Sequence, residues 1–343
     1  MSEKMEYEAM KDREGILLNA NESSVNLPVD IRKEIAEKIV DISFHRYPED
    51  EASALCQAYA DYAGVKPTQV IAGNGSDEML GLMISLFIQK GDKLLTLTPD
   101  FSMYDYYLGM HEGEIVRYER KADAPFDIEG FIQKGKEENV KMILFSNPNN
   151  PTGQIIEKED LCRIADTFKC PVVIDEAYGE FMEGTMIDQV DRYENLFVTR
   201  TLSKAFAFAA GRCGFLIGNE ETLEKIRPQK VPYNVNSMTQ CAAKIILSHK
   251  EELLTQCDLI KQEREHMIKE CKDFNDSLLT LYPSHANFIY GRSAKKEELL
   301  KKFEEAGITI RNYHDNSFRI TIGTPQENEK VYHILRSFKE EFQ

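Results

Sequence analysis

Between residues 69 and 218 the chain repeats one pattern: a short unbroken apolar run, a longer amphipathic stretch, then another run. The runs fall at 69–72, 93–97, 141–145, 171–174, 196–199 and 213–217. Short runs without polar alternation predict strands covered on both faces, and the amphipathic stretches between them predict the covering helices. The expected fold class is therefore α/β: a large domain with a mostly parallel sheet sandwiched by helices, built from βαβ units. Residues 30–43 carry Ile31, Ile35, Ile39 and Ile42 at helical spacing. After a Glu- and Lys-rich helical stretch from 240 to about 276, the pattern predicts a smaller α+β unit. Its strands are expected at 286–290, 309–312 and 318–322, with a final helix after Pro325. The expected organisation is an N-terminal arm and helix over 1–43 packing with the small domain, a large domain over 44–245 and a small one over 246–343.

Charge and cysteine content remove several function classes. The chain has 343 residues, with 42 Lys and Arg against 58 Asp and Glu, a formal charge of −16. Nucleic-acid surfaces need Lys and Arg to displace counterions, so that partner is not expected. No apolar run reaches the roughly 18 residues of a membrane span, and the charged start MSEKMEYEAMKDREG has no signal-peptide core. Seven scattered cysteines without a C-x-x-C pattern predict reduced thiols in a cytoplasmic protein. Seven scattered histidines give no ligand spacing, so no metal site is expected.

Five of the predicted strands are each followed at once by polar residues. In open α/β sheets ligands bind beyond the carboxyl ends of the strands, so these clusters are expected to converge. GNGSDE at 73–78 places flexible glycines before a helix N-terminus, which makes either an anion cradle or an ordinary helix start capped by Ser76. PDFSMY at 99–104 offers Phe101 and Tyr104, for stacking on a planar ligand or for core packing. NPNNPTG at 147–153 is a rigid turn with three Asn, more than a turn requires. DEAY at 175–178 ends an apolar strand with a carboxylate that needs a cationic partner, either a protonated ring nitrogen or a structural salt bridge. RTLSK at 200–204 precedes AFAFAA, whose apolar side chains would desolvate the Lys204 ammonium and lower its pKa toward a nucleophilic amine. Thr201, Ser203 and Arg212 could bind a phosphate beside it. A lysine for a Schiff base, an acid for a ring nitrogen, a donor for a phenolic oxygen and an anion site together match pyridoxal phosphate.

These motifs resemble the fold-type I pyridoxal-phosphate aminotransferases of classes I and II, and within them the histidinol-phosphate aminotransferases. The resemblance also rests on LNANES (18–23), RYPE (46–49), DEAYGEF (175–181), RTLSKAFAFAAGRCGF (200–215), PYNVN (232–236), SHANFI (284–289) and FRITIGT (318–324), which keep family order across nearly the whole chain. It implies that Lys204 links covalently to the cofactor and shuttles a proton. Asp175 would pair with the pyridine nitrogen, Tyr178 and Asn150 would hold the 3-oxygen, and Phe101 would stack on the ring. Ser76, Asp77, Thr201, Ser203 and Arg212 would surround the phosphate. Tyr47 would reach the cofactor of a second subunit, which implies a homodimer with shared sites. Arg319 would clamp a substrate carboxylate, with Asn21 and Arg311 assisting, Arg311 at a distal phosphate. The implied reaction is ping-pong transfer from an amino donor to a 2-oxo acid. The N-terminus departs from the family: residues 21–26 read NESSVN, no Pro precedes Pro28, and Tyr7 is the candidate for the missing aromatic. Aromatic or general amino-acid transamination, and decarboxylation of threonine phosphate, therefore stay open as alternatives. A ligand-sensing domain without catalysis is the remaining one.

Overall fold

The computed structural model describes residues 14–342. The first element is β1 (Ile16–Leu18), followed by α1 (Val29–Ile39) and α2 (Ser53–Ala63). Then come β2 (Val70–Asn74), α3 (Ser76–Phe87), β3 (Lys93–Thr98), α4 (Met103–Met110), β4 (Glu114–Glu119), α5 (Ile128–Glu137) and β5 (Met142–Ser146). The large sheet is completed through α6 (Lys158–Thr167), β6 (Val172–Asp175), β7 (Leu196–Thr201) and β8 (Cys213–Gly218). Three helices follow, α7 (Glu220–Ile226), α8 (Ser237–Ser248) and the long α9 (Lys250–Glu270). The C-terminal part is β9 (Leu279–Leu281), β10 (Phe288–Ser293), α10 (Lys296–Glu305), β11 (Ile308–Asn312), β12 (Ser317–Thr321) and α11 (Pro325–Phe342).

Seven strands form one sheet in the order β2-β8-β7-β6-β5-β3-β4. All neighbours are parallel except β8, which runs against both β7 and β2. Strands β5, β6, β7 and β8 are buried at every position, as expected of runs covered by helices on both faces. One apolar cluster lies under α3 and α4, around Met79, Leu80, Met83, Leu94, Leu144 and Val173. The other face of the sheet packs on the continuous core that includes α2, α5 and α6 and extends into the C-terminal part.

Five strands form the second sheet, in the order β1-β11-β12-β10-β9. Its one parallel pair joins the start of the chain to its end: Ile16 lies opposite Ile308 and Leu18 opposite Ile310. Helix α1 packs on α8, so the N-terminal region touches both parts of the molecule. Three strands lie where no run was expected. β4 alternates charged with apolar residues and buries only Val116, as an edge strand does. β1 and β9 are only three residues long.

Candidate active site

Strands β2, β3, β5, β6 and β7 end on the same side of the large sheet, and the reversed β8 begins there. All five polar clusters therefore meet along one edge. Register sets the centre. Ser146 on β5, Asp175 on β6 and Thr199 on β7 are direct neighbours in one row.

Asp175 is buried and accepts hydrogen bonds from the Tyr104 hydroxyl at 2.8 Å, the Thr199 hydroxyl at 2.9 Å and the Ala177 amide at 3.2 Å. Burial outweighs these donors and pushes its carboxyl up to about 6. No cation pairs with it among the described residues. The structural salt bridge lies one residue further on: buried Glu176 pairs with Arg200 at 2.7 Å, and Arg200 also holds Glu180 at 2.7 Å. Arg200 thus points away from the phosphate cluster that its sequence neighbours form.

Lys204 lies in the crevice with its Nζ donating to the Ala20 carbonyl at 2.9 Å. Burial, aided by the positive charge of Arg319, lowers its amine to about 8. The chain segment after β1 crosses in front of it. Asn21 donates from Nδ2 to the Tyr178 hydroxyl at 2.8 Å, and its amide donates to Thr321 Oγ1 at 3.0 Å. Asn287 holds the Asn21 carbonyl at 3.1 Å. Tyr178 is pushed up to about 12 by burial, so it keeps its proton and has it free to donate. Arg319, on β12, donates to the Asn150 side-chain oxygen and to the Asn19 carbonyl at 2.9 Å. Its Nε is buried without a partner, and no carboxylate pairs with it among the described residues.

Ser76 opens α3, and Gly75, at φ +81°, is the residue before it; Ser76 is the first helical residue rather than the cap. Gly214 lets this helix start approach β8, since a Cβ there would clash with the Ser76 backbone nitrogen. Against the helix start lies Arg212, which donates to Asp77 at 2.9 Å and to the Ser203 hydroxyl at 3.4 Å. Thr201 and Ser203 join hydroxyl to hydroxyl at 2.9 Å. Free helix amides, two hydroxyls and a guanidinium make an anion cup.

Phe101 lies half-buried at the end of β3, edge-on to Tyr104 with ring centroids 5.6 Å apart. Of the three Asn in the 147–153 turn, two close the turn itself, which leaves one beyond its needs. Asn147 exchanges hydrogen bonds with the Ile156 backbone, and Asn149 takes the Thr152 hydroxyl at 2.6 Å. Asn150 alone reaches into the crevice. Tyr47 is not among the gathered residues: it is 81% exposed and stacks on Tyr233 at 4.8 Å. Arg311 stands directly opposite Arg319 on the next strand, half-exposed. Tyr7 lies outside the described residues. Sequence reasoning missed Thr199, Asn19 and Asn287, and left Tyr104 between stacking and core packing; Thr199 was visible only as a polar residue ending an apolar strand.

A buried acid without a cation and a buried guanidinium without an anion share one crevice with a lowered amine. Such a crevice suits a ligand with a basic ring nitrogen for Asp175, an aldehyde for Lys204 and a phosphate for the cup. Pyridoxal phosphate carries all three, and the fold and site together define a pyridoxal-phosphate enzyme. The chain belongs to the aminotransferase class I and II family, whose model matches residues 13–335. Its reaction is transamination, between an amino donor and an oxo acid. It is 36% identical over 334 residues to the histidinol-phosphate aminotransferase of Clostridium novyi (strain NT), covering 96% of this chain and 93% of that one. The crystal structure of the histidinol-phosphate aminotransferase from Clostridium acetobutylicum matches with a TM-score of 0.85 at 26% identity, over 95% of this chain and 100% of that one. The enzyme of that name from Sinorhizobium meliloti, in complex with pyridoxal-5'-phosphate, shares the fold with a TM-score of 0.82 at 24% identity, over 94% of this chain and 91% of that one.

Proposed function

We propose that the chain moves the amino group of L-histidinol phosphate to 2-oxoglutarate, with Lys204 as the catalytic residue. The observation that carries the substrate reading is the pair of arginines on neighbouring strands, Arg319 buried without an anion and Arg311 opposite it. Residues directly opposite in an antiparallel pair share a face of the sheet. L-Histidinol phosphate has a phosphate ester on a methylene, –CH2–O–phosphate, where an amino acid has its carboxylate. The two half-reactions therefore need cations at two depths: Arg319 for the carboxylate of 2-oxoglutarate, and Arg311 added for the larger phosphate of the donor. The names of the relatives support the same donor.

Pyridoxal phosphate, when bound, supplies an electron sink that acidifies the Cα–H of the donor. Lys204, with its amine near 8, gives up its proton more readily than a surface lysine and serves both as nucleophile and as proton carrier between Cα and C4′. Asp175 holds a proton at the ring nitrogen. Tyr178 donates toward the 3-oxygen while accepting from Asn21, and Asn150 binds there through Nδ2 while its oxygen orients Arg319. Phe101 covers one face of the ring. Ser76 and Asp77, through their backbone amides, anchor the phosphate with Thr201, Ser203 and Arg212, whose guanidinium Asp77 also holds, and the segment 19–22 excludes water above Lys204.

In this reading residues 44–245 bind the cofactor, and 246–343, with the arm strand β1, close on the substrate. The working unit is a homodimer. Val40, Phe44, Tyr47, Val231, Tyr233 and Met238 are all exposed, an apolar surface for a second copy whose site Tyr47 would enter. All seven cysteines are free, which suits the cytoplasm. No helix among the described residues is long and apolar enough to cross a membrane.

The test is spectroscopic. The purified protein should carry a visible cofactor absorbance that L-histidinol phosphate bleaches and 2-oxoglutarate restores. Phe, Tyr, neutral amino acids and O-phosphothreonine should act far more slowly. Faster bleaching by an aromatic amino acid would reassign the donor, and carbon dioxide release from O-phosphothreonine would make the protein a decarboxylase.

A further inference from the structure

One carboxylate at the site has no part in the roles above. Asp100 follows Pro99 at the end of β3 and faces the turn that follows β5. Its Oδ1 accepts the Phe101 amide at 2.8 Å and also the Ser146 hydroxyl, while its Oδ2 accepts the Ser146 amide at 3.2 Å. The Ser146 hydroxyl in turn accepts the Asn150 amide at 2.8 Å. A second bond between the same two loops runs from Asn149 Nδ2 to the Pro99 carbonyl at 3.2 Å. One side chain therefore joins the loop that carries Phe101 to the loop that carries Asn150. The joint lies beside the central acid, because Ser146 and Asp175 are direct neighbours across β5 and β6.

Capping the Phe101 amide alone would need only a hydroxyl or an amide oxygen. Receiving the Ser146 hydroxyl and amide as well takes both oxygens of the carboxyl group, which burial holds well above the usual carboxylate range. We propose that Asp100 is a positioning residue that sets the Asn150 turn against the Phe101 face and, through Asn150, aims Arg319 at the substrate anion. This rests on the function proposed above for Phe101, Asn150 and Arg319. Asn150 is the point where the effect divides. Its oxygen is taken by Arg319, which leaves its Nδ2 for the ring. A slip of this turn disturbs the cofactor's 3-oxygen and the substrate's anion together.

Asp100→Ala, Asp100→Asn and Ser146→Ala are compared with the wild type, both free of cofactor and loaded with pyridoxal phosphate. In the cofactor-free protein, Asp100→Ala should speed amide hydrogen exchange at Phe101, Ser146 and Asn150 by about tenfold or more, the loss of one hydrogen-bonded anchor. Asp100→Asn keeps one oxygen but turns an NH2 toward the Ser146 amide, so exchange should rise mainly at Ser146. Ser146→Ala should free Asn150 and leave Phe101 protected. In the loaded enzyme, Asp100→Ala should shift the pH midpoint of the visible absorbance and raise KM for donor and oxo acid together by about tenfold, with a smaller change in kcat. Unchanged exchange at Asn150 in Asp100→Ala overturns the proposal. So does a lowered Tm with the pH midpoint and both KM values unmoved. If Asp100→Ala does not fold, Asp100→Asn decides: unchanged exchange at Ser146 with both KM values unmoved overturns the proposal. A wild-type protein without visible absorbance would defeat the proposed function, while the exchange measurement would still decide whether Asp100 holds the turn.

Discussion

At the scale of single residues, the site stores charges that the empty protein would do better without. A lysine whose folded pKa is lowered to about 8 costs stability at every pH where it is still charged in both states. The cost is full below about 8 and fades as pH rises from there toward the unfolded value of 10.5. Lys204→Met should therefore abolish turnover and yet stabilise the cofactor-free protein at neutral pH, by on the order of 1 kcal/mol. The gain should shrink as pH climbs above 8; urea denaturation at several pH values would show it, and a destabilised variant would contradict it. Asp175 has the opposite sign. Its carboxyl, raised to about 6, must be ionised to meet a protonated ring nitrogen. Cofactor affinity should fall as pH drops below that value, and Asp175→Asn should bind weakly with no change through the same window. Fluorescence titration from about pH 5 to pH 8 spans both states of the acid. A wild-type profile as flat as that of the variant would remove Asp175 from this role.

At the scale of elements, the edge of the sheet is braced from behind. Arg200 on β7 holds Glu176 at the end of β6 and Glu180 in the turn that follows, all three buried. Removing the guanidinium strands two buried carboxylates, so Arg200→Met should cost about 3–5 kcal/mol in a chemical denaturation. A loss under 1 kcal/mol would mean that water reaches the pair. Six strands of this sheet were legible because burial on both faces demands unbroken apolar runs. β4 was not, because an edge strand tolerates the charges of EIVRYE, and charge hides a strand from a hydropathy reading. The polar clusters were legible for a similar reason: a strand end that faces a crevice is where polar residues interrupt an apolar run. Their partners were not. The hydroxyls that satisfy Asp175 come from a neighbouring strand and a helix, and nothing local distinguishes Thr199 from other strand threonines. Nor does a turn's composition reveal that Asn147 and Asn149 close it while Asn150 faces the ligand.

At the scale of the whole molecule, the stacked Tyr47 and Tyr233 stand in solvent with Phe44 and Val40 nearby in sequence. Sedimentation should give twice the chain mass, and Phe44→Asp should shift it toward one. Tyr47→Ala should leave the dimer intact and weaken cofactor binding by about tenfold, the value of one hydrogen bond to a charged group. Full affinity in that variant would place Tyr47 outside the site. The segment 19–22 has a consequence of another kind. It reaches Tyr178 and Lys204 in the large sheet's edge, but its backbone is held by Asn287 and by Thr321, 300 residues from Asn21. A chain leaving the ribosome has all seven strands of the large sheet once β8 has emerged. The residue that pins Asn21 follows about 100 residues later, roughly 5–20 s at common rates of synthesis. During that interval the segment has Tyr178 and Lys204 to hold it but not Asn287 or Thr321. The order in which the chain is made thus delays the full covering of Lys204 until β12 has been made.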